Sequence, residues 1–288
     1  MSSYWAEFEL DFTLDMSRLV PHLAAIEAGQ AAASLRIIPP QWREKSSEEA
    51  EAALRQIVIT HTDALENEIR LRKFRSILAN SSQAHKWVKD RFSPGCEPMC
   101  VEDILQMHRS AADEAGMRLD VAGVMRRRGQ EVTTGSEETG FHPGAPGATV
   151  AEWMQRYIQF INGKRLACLP PVVHALVAAF FITTIHPFPD GNGRISRLVA
   201  AAILYRRGYN GHGLHALSSF FYENEVQYHR ILNSSSQRPC PDLTEFVAFG
   251  MEALAAELQG INSFIKVKLN RISERQALAG GKSKAIDP

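Results

Sequence analysis

The strongest constraint on this chain lies between Pro170 and Gly208, where two helical stretches are separated by prolines and glycines. Pro170 and Pro171 suit the opening of a helix, since proline is tolerated in a first turn. The helix runs through Leu176, Ala179, Phe180 and Ile182 towards His186. Pro187 forbids its continuation. A second helix starts near Asn192 and stops before Gly208, with Arg206 and Arg207 in its last turn, where cations are favoured. The apolar run 175–182 is eight residues, far too short to span a membrane.

Most of the remaining chain also reads as helix. Residues 46–74 are rich in Ala, Glu, Leu and Arg and contain neither Gly nor Pro. Residues 101–116 and 150–163 repeat apolar side chains at helical spacing. Two more helices fill 224–234 and 242–269, with Asp242 a good N-cap. The exception is 129–149, where V-T-T runs into a glycine-rich turn and predicts a short β-hairpin on a helical body. Residues 279–288 are small and polar and read as a flexible tail. The expected fold class is all-α with one short hairpin.

Composition narrows the chemistry. With 288 residues, 45% of them hydrophobic, the chain can bury the core of one large helical domain or two modest ones. Lys plus Arg equals Asp plus Glu at 32 each, so the basic face of a general nucleic-acid binder is not expected. Phosphate chemistry must then use a local site. Cys96 and Cys100 are close in sequence, but no second Cys/His pair completes a zinc site, and Cys168 and Cys240 stand apart. Scattered thiols and an acidic N-terminus without a basic–apolar leader predict a cytoplasmic protein with no membrane partner.

Residues 186–197 read H-P-F-P-D-G-N-G-R-I-S-R. Gly191 and Gly193 let the backbone turn and approach a ligand closely. The amides of the loop and of the next helix's first turn then point one way, an anion nest suited to phosphate. Arg194 and Arg197 share a helix face and can reach one polyphosphate. Asp190 is a hard oxygen ligand beside that nest, suited to Mg²⁺ shared with phosphates. His186 is the group of this segment that can take a proton near neutral pH. A calcium loop fails, because the fifth and twelfth EF-hand positions would be Arg194 and Ala201. Each residue alone has an ordinary structural reading; their combination in one short segment points to phosphate transfer.

The segment resembles the Fic family signature, H-P-F-x-D/E-G-N-G-R-x-x-R, at every fixed position. The likeness extends more loosely over 101–209, and Y-E-N-E-V-Q-Y-H at 222–229 is also similar. The resemblance implies a Fic-type helical bundle whose hairpin, at 132–142, is a flap that pairs with a target backbone. It implies that His186 is the base for an attacking Ser, Thr or Tyr hydroxyl, and that Asp190 holds Mg²⁺ against the α- and β-phosphates of ATP. Asn192 and the amides around Gly191 and Gly193 would cradle phosphate oxygens. Arg194 would bind the phosphate chain, Arg197 would reach the γ-phosphate, Phe188 would anchor the loop in the core, and Tyr228 would lie near the adenine. The implied reaction leaves AMP on a protein and releases pyrophosphate. His108 and His174 lack a phosphate-binding neighbourhood and read as structural.

Thr62–Asn67, T-D-A-L-E-N, resembles the family's inhibitory motif S/T-x-x-x-E-G/N, on a helix at about 62–74. The resemblance implies that Glu66 pairs with Arg197 and excludes a productive γ-phosphate. Local readings stand beside it: Asp63 and Glu66 form a capping arrangement, and Glu66 and Arg70 an i,i+4 pair. The expected organisation is an N-terminal helical region over 1–100 with the inhibitory helix, a catalytic core over 101–209, C-terminal helices over 210–278, and the tail. The implied partners are ATP with Mg²⁺, a protein target, the chain itself as a target, and a second copy in a homodimer. The same fold also serves removal of AMP, transfer from another phosphate donor, or nucleotide binding without catalysis.

Overall fold

The computed structural model describes residues 2–35, 84–111, 121–209, 224–256 and 258–259. In chain order they form α1 (Ser2–Glu7), α2 (Met16–Leu35), α3 (84–91) and α4 (Val101–Ala111). A hairpin of β1 (Thr133–Ser136) and β2 (Gly140–Pro143) follows. Then come α5 (Val150–Ile161), α6 (Lys164–Ala167), α7 (Pro171–Ile185), α8 (Asn192–Arg206), α9 (Glu225–Ser235) and α10 (244–256). The fold is mostly helical with one two-stranded antiparallel sheet, as expected. The inhibitory stretch with Thr62 and Glu66, the end of the 242–269 helix and the tail lie outside the described residues.

Helix α7 is the axis of the bundle. Every residue from Val172 to Ile185 is buried, which requires neighbours on all sides. From α5, the Tyr157 hydroxyl donates to the Ala178 carbonyl at 2.9 Å, so a buried phenol keeps its hydrogen bond. From α10, Gly250 allows close approach: a Cβ there would lie 2.4 Å from Cδ2 of Leu176. From the N-terminus, Phe8 and Phe12 meet the ring of Phe181 with centroids 6.1 and 6.2 Å apart, and Trp5 meets Trp153 edge-on at 5.2 Å. The described part of 1–100 therefore shares one core with the segment around the motif. The segment before α2 also meets the segment before α10: Leu243 N–H donates to Thr13 O at 3.1 Å and Thr13 N–H to Pro241 O at 3.0 Å. Helix α10 begins one residue later than expected: Leu243 O accepts from Val247 N–H at 2.9 Å and so takes the N-cap position, while Asp242, just before it, accepts from Thr244 N–H at 2.9 Å.

The hairpin pairs Thr133 with Pro143, Thr134 with His142 and Gly135 with Phe141. Gly135 has φ 104°, and a Cβ there would come within 1.9 Å of Gly140 O, so glycine is required. Alternation sends His142 inward, at 4% exposure, and Phe141 outward, at 54%. Both ends of the hairpin are held. Asn233 of α9 donates to Thr139 O at 3.1 Å and to Gly140 O at 2.7 Å. The Trp5 indole donates to Pro143 O at 3.1 Å. All four cysteines are free thiols. Among the described residues no helix is long and apolar enough to cross a membrane.

Candidate active site

The site begins where α7 ends. His186 N–H still donates to Ile182 O at 3.0 Å, but the residue has turned to φ 55°, ψ 60°. It is the one non-glycine residue with positive φ among those described, a conformation that persists only when its surroundings enforce it. Pro187 follows and Phe188 turns into the core, fully buried. Asn192 then clamps the loop: its Oδ1 accepts from Phe188 N–H at 2.9 Å and its Nδ2 donates to Phe188 O at 2.8 Å. Gly191, at φ 79°, is the N-cap of α8, and its carbonyl accepts from Arg194 and Ile195 N–H at 3.0 and 3.1 Å.

This geometry revises two of the expected roles. The side chain of Asn192 is buried and committed to the loop backbone, which leaves its main-chain amide as the group that could meet a phosphate. The Gly191 amide is already bonded to Asp190 Oδ1 at 2.6 Å. The open part of the nest is therefore the first turn of α8, where the amides of Asn192 and Gly193 have no acceptor among the described residues.

Two residues that the motif does not contain brace this loop. The His108 ring stacks on Phe188, centroids 3.8 Å apart and planes 14° apart. Its Nε2 donates to Asp190 O at 3.0 Å, and its Nδ1 accepts from Gly123 N–H at 2.7 Å. Those two bonds need the neutral ring, and burial, the largest influence on it, lowers its pKa to match. His108 reads as structural, as expected, and its structural task is to hold the Asp190 corner of the loop. The second is Arg126, whose guanidinium donates to His186 O at 2.7 Å. No local sequence pattern marks either residue; both act across long chain separations. His174 is likewise a satisfied core residue, bonded to Ile161 O at 3.0 Å.

The charged groups face one another across the start of α8. Desolvation lowers the pKa of Arg197 most, the nearby Arg194 adds to this, and Tyr228 opposes it. Among the described residues no carboxylate forms an ion pair with Arg197. Arg194 donates to Ala111 O at 3.3 Å, at the end of α4. Tyr228 is raised in pKa by burial, bonded to the side chains of Thr183 and Ser196, and close to Arg197. It thus sits at the arginine end of the site, between α7 and α8. His186 is pushed down to about 4, chiefly by burial, then by the Arg126 cation and by His142, against the pull of the Thr183 carbonyl and Asp190. The imidazole is therefore neutral near pH 7 and able to accept a proton.

The residues present fit a magnesium ion that arrives with a polyphosphate. Asp190 is exposed, with Oδ1 turned to Gly191 N–H and Oδ2 left for a cation. No cluster of three or more metal-ligating side chains occurs among the described residues, so phosphate oxygens would complete the coordination. Asp190→Ala is expected to weaken Mg²⁺-dependent ATP binding about tenfold, in line with losses at such positions, and to leave metal-free binding unchanged. Calorimetric titration of ATP with and without Mg²⁺ checks this. Equal Mg²⁺ dependence in both proteins would place the metal elsewhere.

The comparison with known proteins agrees with this geometry. The sequence model of the Fic/DOC family matches residues 98–204. Proteins named "Protein adenylyltransferase Fic" from Drosophila erecta and Drosophila melanogaster are each 38% identical over 109 residues. That segment is 38% of this chain and 20% of each relative, so the match spans about a fifth of their length. A Fic family protein from Desulfovibrio desulfuricans superposes with a TM-score of 0.65 at 19% identity, covering 89% of this chain and 77% of the other. A Fic domain containing signaling protein from Bacteroides thetaiotaomicron gives 0.62 at 16% identity, covering 84% and 97%. The candidate site at 186–197 thus lies inside the stretch, residues 98–204, that matches the Fic/DOC family.

Proposed function

We propose that this chain transfers AMP from Mg²⁺–ATP to the hydroxyl of a protein Ser, Thr or Tyr. The observation that carries the reading is the site itself. A neutral, half-buried imidazole closes α7, and α8 begins with two amides that have no acceptor and an arginine that has no carboxylate partner among the described residues. The relatives named as adenylyltransferases, 38% identical over 109 residues, support the choice of reaction.

In this reading the phosphate chain seats on the amides of Asn192 and Gly193 and on Arg194 and Arg197. His186 takes the proton from the target hydroxyl as its oxygen attacks the α-phosphorus. The new O–P bond forms as the bond to the β-phosphate oxygen breaks, and pyrophosphate leaves. Mg²⁺ beside Asp190 would neutralise charge on the phosphates. Positioning and charge stabilisation supply most of the acceleration, as in related phosphoryl transfers. The hairpin, with Phe141 outward, is the surface for a target backbone, and the chain itself is one target. A homodimer and a cytoplasmic setting, suited to four free thiols, belong to the same proposal.

The test is intact mass measurement after incubation with Mg²⁺ and each nucleoside triphosphate in turn. One added AMP with ATP, absent in His186→Ala, is expected. Addition from another donor, or none, overturns the choice of reaction.

Control of the site rests on Glu66. Its carboxylate and the γ-phosphate compete for Arg197, and ATP bound without that arginine holds its α-phosphate out of line. A misplacement of about 1 Å costs about 10²-fold in rate. Glu66→Gly is therefore expected to raise self-modification at least about tenfold. A lower melting temperature with unchanged incorporation would leave Glu66 a helix-capping residue.

A further inference from the structure

We infer that Arg126 is the positioning residue for His186, its buried guanidinium tying the end of α7 to the foot of the hairpin. Arg126 is 2% exposed. Its Nε donates to His186 O at 2.7 Å and its Nη1 to Gln130 O at 2.7 Å. Its Nη2 donates to Ala145 O at 2.8 Å and to Ile185 O at 3.3 Å. Its backbone N–H takes the next carbonyl, Pro187 O, at 2.8 Å. One residue thus engages three consecutive carbonyls, those of 185, 186 and 187.

A buried cation ordinarily needs an anion, because desolvation otherwise disfavours it. Among the described residues Arg126 has no ion-pair partner. The nearby Glu131 carboxylate is taken by Gly147 N–H, at 3.0 and 3.2 Å. The guanidinium is stabilised by the nearby Glu131 charge and by the negative end of α7, whose last carbonyls lack helical partners. The arrangement is reciprocal. The strained φ of His186 needs an external hold, and Arg126 grips the carbonyl of that residue and of both its neighbours.

The other half of the tie is the hairpin foot. Ala145 N–H donates to Ile185 O at 3.0 Å. Gly144 has no room for a side chain: a Cβ would meet Arg126 Nη2 at 3.0 Å and His186 Cβ at 3.1 Å. Base and hairpin are therefore held through one guanidinium. A lysine, with a single compact ammonium in place of a planar fork, does not span these four acceptors.

This inference rests on the transfer reading for its rate arm, and a second arm is independent of it. The variants are Arg126→Lys and Arg126→Met, compared with the unaltered chain. The measurements are melting temperature, ATP binding, AMP transfer per folded molecule against pH, and the His186 imidazole titration by proton NMR without nucleotide. Both variants are expected to bind ATP within about twofold of native and to transfer AMP at least about tenfold more slowly, since a displaced base loses alignment.

The groups facing His186 are Arg126 from the segment before the hairpin, His142 from β2, and Asp190 and the Thr183 carbonyl from its own chain segment. Removing the Arg126 cation removes a force against protonation. In Arg126→Met the His186 titration, and the acid limb of transfer with it, moves up in pH. In Arg126→Lys the charge remains and the titration stays near its native position while the rate still falls. If Arg126→Met does not fold, Arg126→Lys carries the rate arm. Native transfer in both variants, proportional loss of transfer and ATP binding, or failure of both to fold would overturn the assignment. If the unaltered chain transfers no AMP, the reaction assignment falls, while an unshifted His186 titration in Arg126→Met would separately overturn this one.

Discussion

Alanine at His186 is expected to slow AMP transfer by about 10²–10⁴-fold, the usual range for a lost general base, while ATP binds with close to native affinity. The division of labour explains the split. In the proposed reaction the amides of Asn192 and Gly193 and the arginines of α8 would hold the phosphates, and none of the hydrogen bonds seen for them involves the imidazole. The imidazole contributes by taking one proton. Its burial makes a second result specific. A base must be neutral to act, and the folded state holds His186 at about 4, below the value near 6.5 of a free histidine. The acid limb of kcat/KM, which reports the free enzyme, is therefore expected well below pH 6 once the ionisation of ATP itself is taken into account. Labelled-ATP transfer across pH, with calorimetric binding in parallel, checks both. Native transfer by the alanine variant would remove His186 from the reaction, and an acid limb near 6.5 would contradict its buried state.

Asn192→Ala is expected to reduce transfer by about 10²-fold and also to lower the melting temperature. The resemblance alone gives this side chain to a phosphate; its position in the fold gives it to the loop. Truncation leaves both the N–H and the carbonyl of Phe188 without partners in a buried setting. Each such orphaned group costs about 1–3 kcal/mol. The loop relieves that cost by shifting, and a shift of about 1 Å at the reacting groups accounts for the rate loss. ATP binding should fall less than the rate, because the amide of residue 192 remains. The measurement is melting temperature beside separate kcat and Kd values. Weaker ATP binding with an unchanged melting temperature would return the side chain to the phosphate.

Much of this site was legible before any coordinates. The break between α7 and α8 follows from Pro187 and Gly191, whose backbone limits are local and independent of the rest of the fold. The hairpin followed from V-T-T and its glycines, and Gly135 confirms why: its neighbour strand leaves no space for a side chain. The turn of Asp242 onto Thr244 N–H at the start of α10 is equally local. Tyr228 shows the limit of such reading. Family likeness suggests adenine, yet its hydroxyl meets Thr183 and Ser196 beside Arg197, which only the packing of α9 on α7 and α8 reveals.

What the sequence determined by itself was therefore a helical body, one hairpin, and a glycine-bearing loop that gathers a histidine, an aspartate and two arginines. These depend on dihedral limits and spacings of a few residues, and such information is written in consecutive letters. What only the tertiary structure decided was which groups hold that loop in place. His108 reaches Asp190 across 82 positions and Arg126 reaches His186 across 60. Trp5 reaches the hairpin across 138. A histidine or an arginine on a helix or loop carries no mark of the distant carbonyl it will satisfy. That partner is set by how the helices pack around α7, because a buried donor must end on whatever acceptor the folded chain brings within reach.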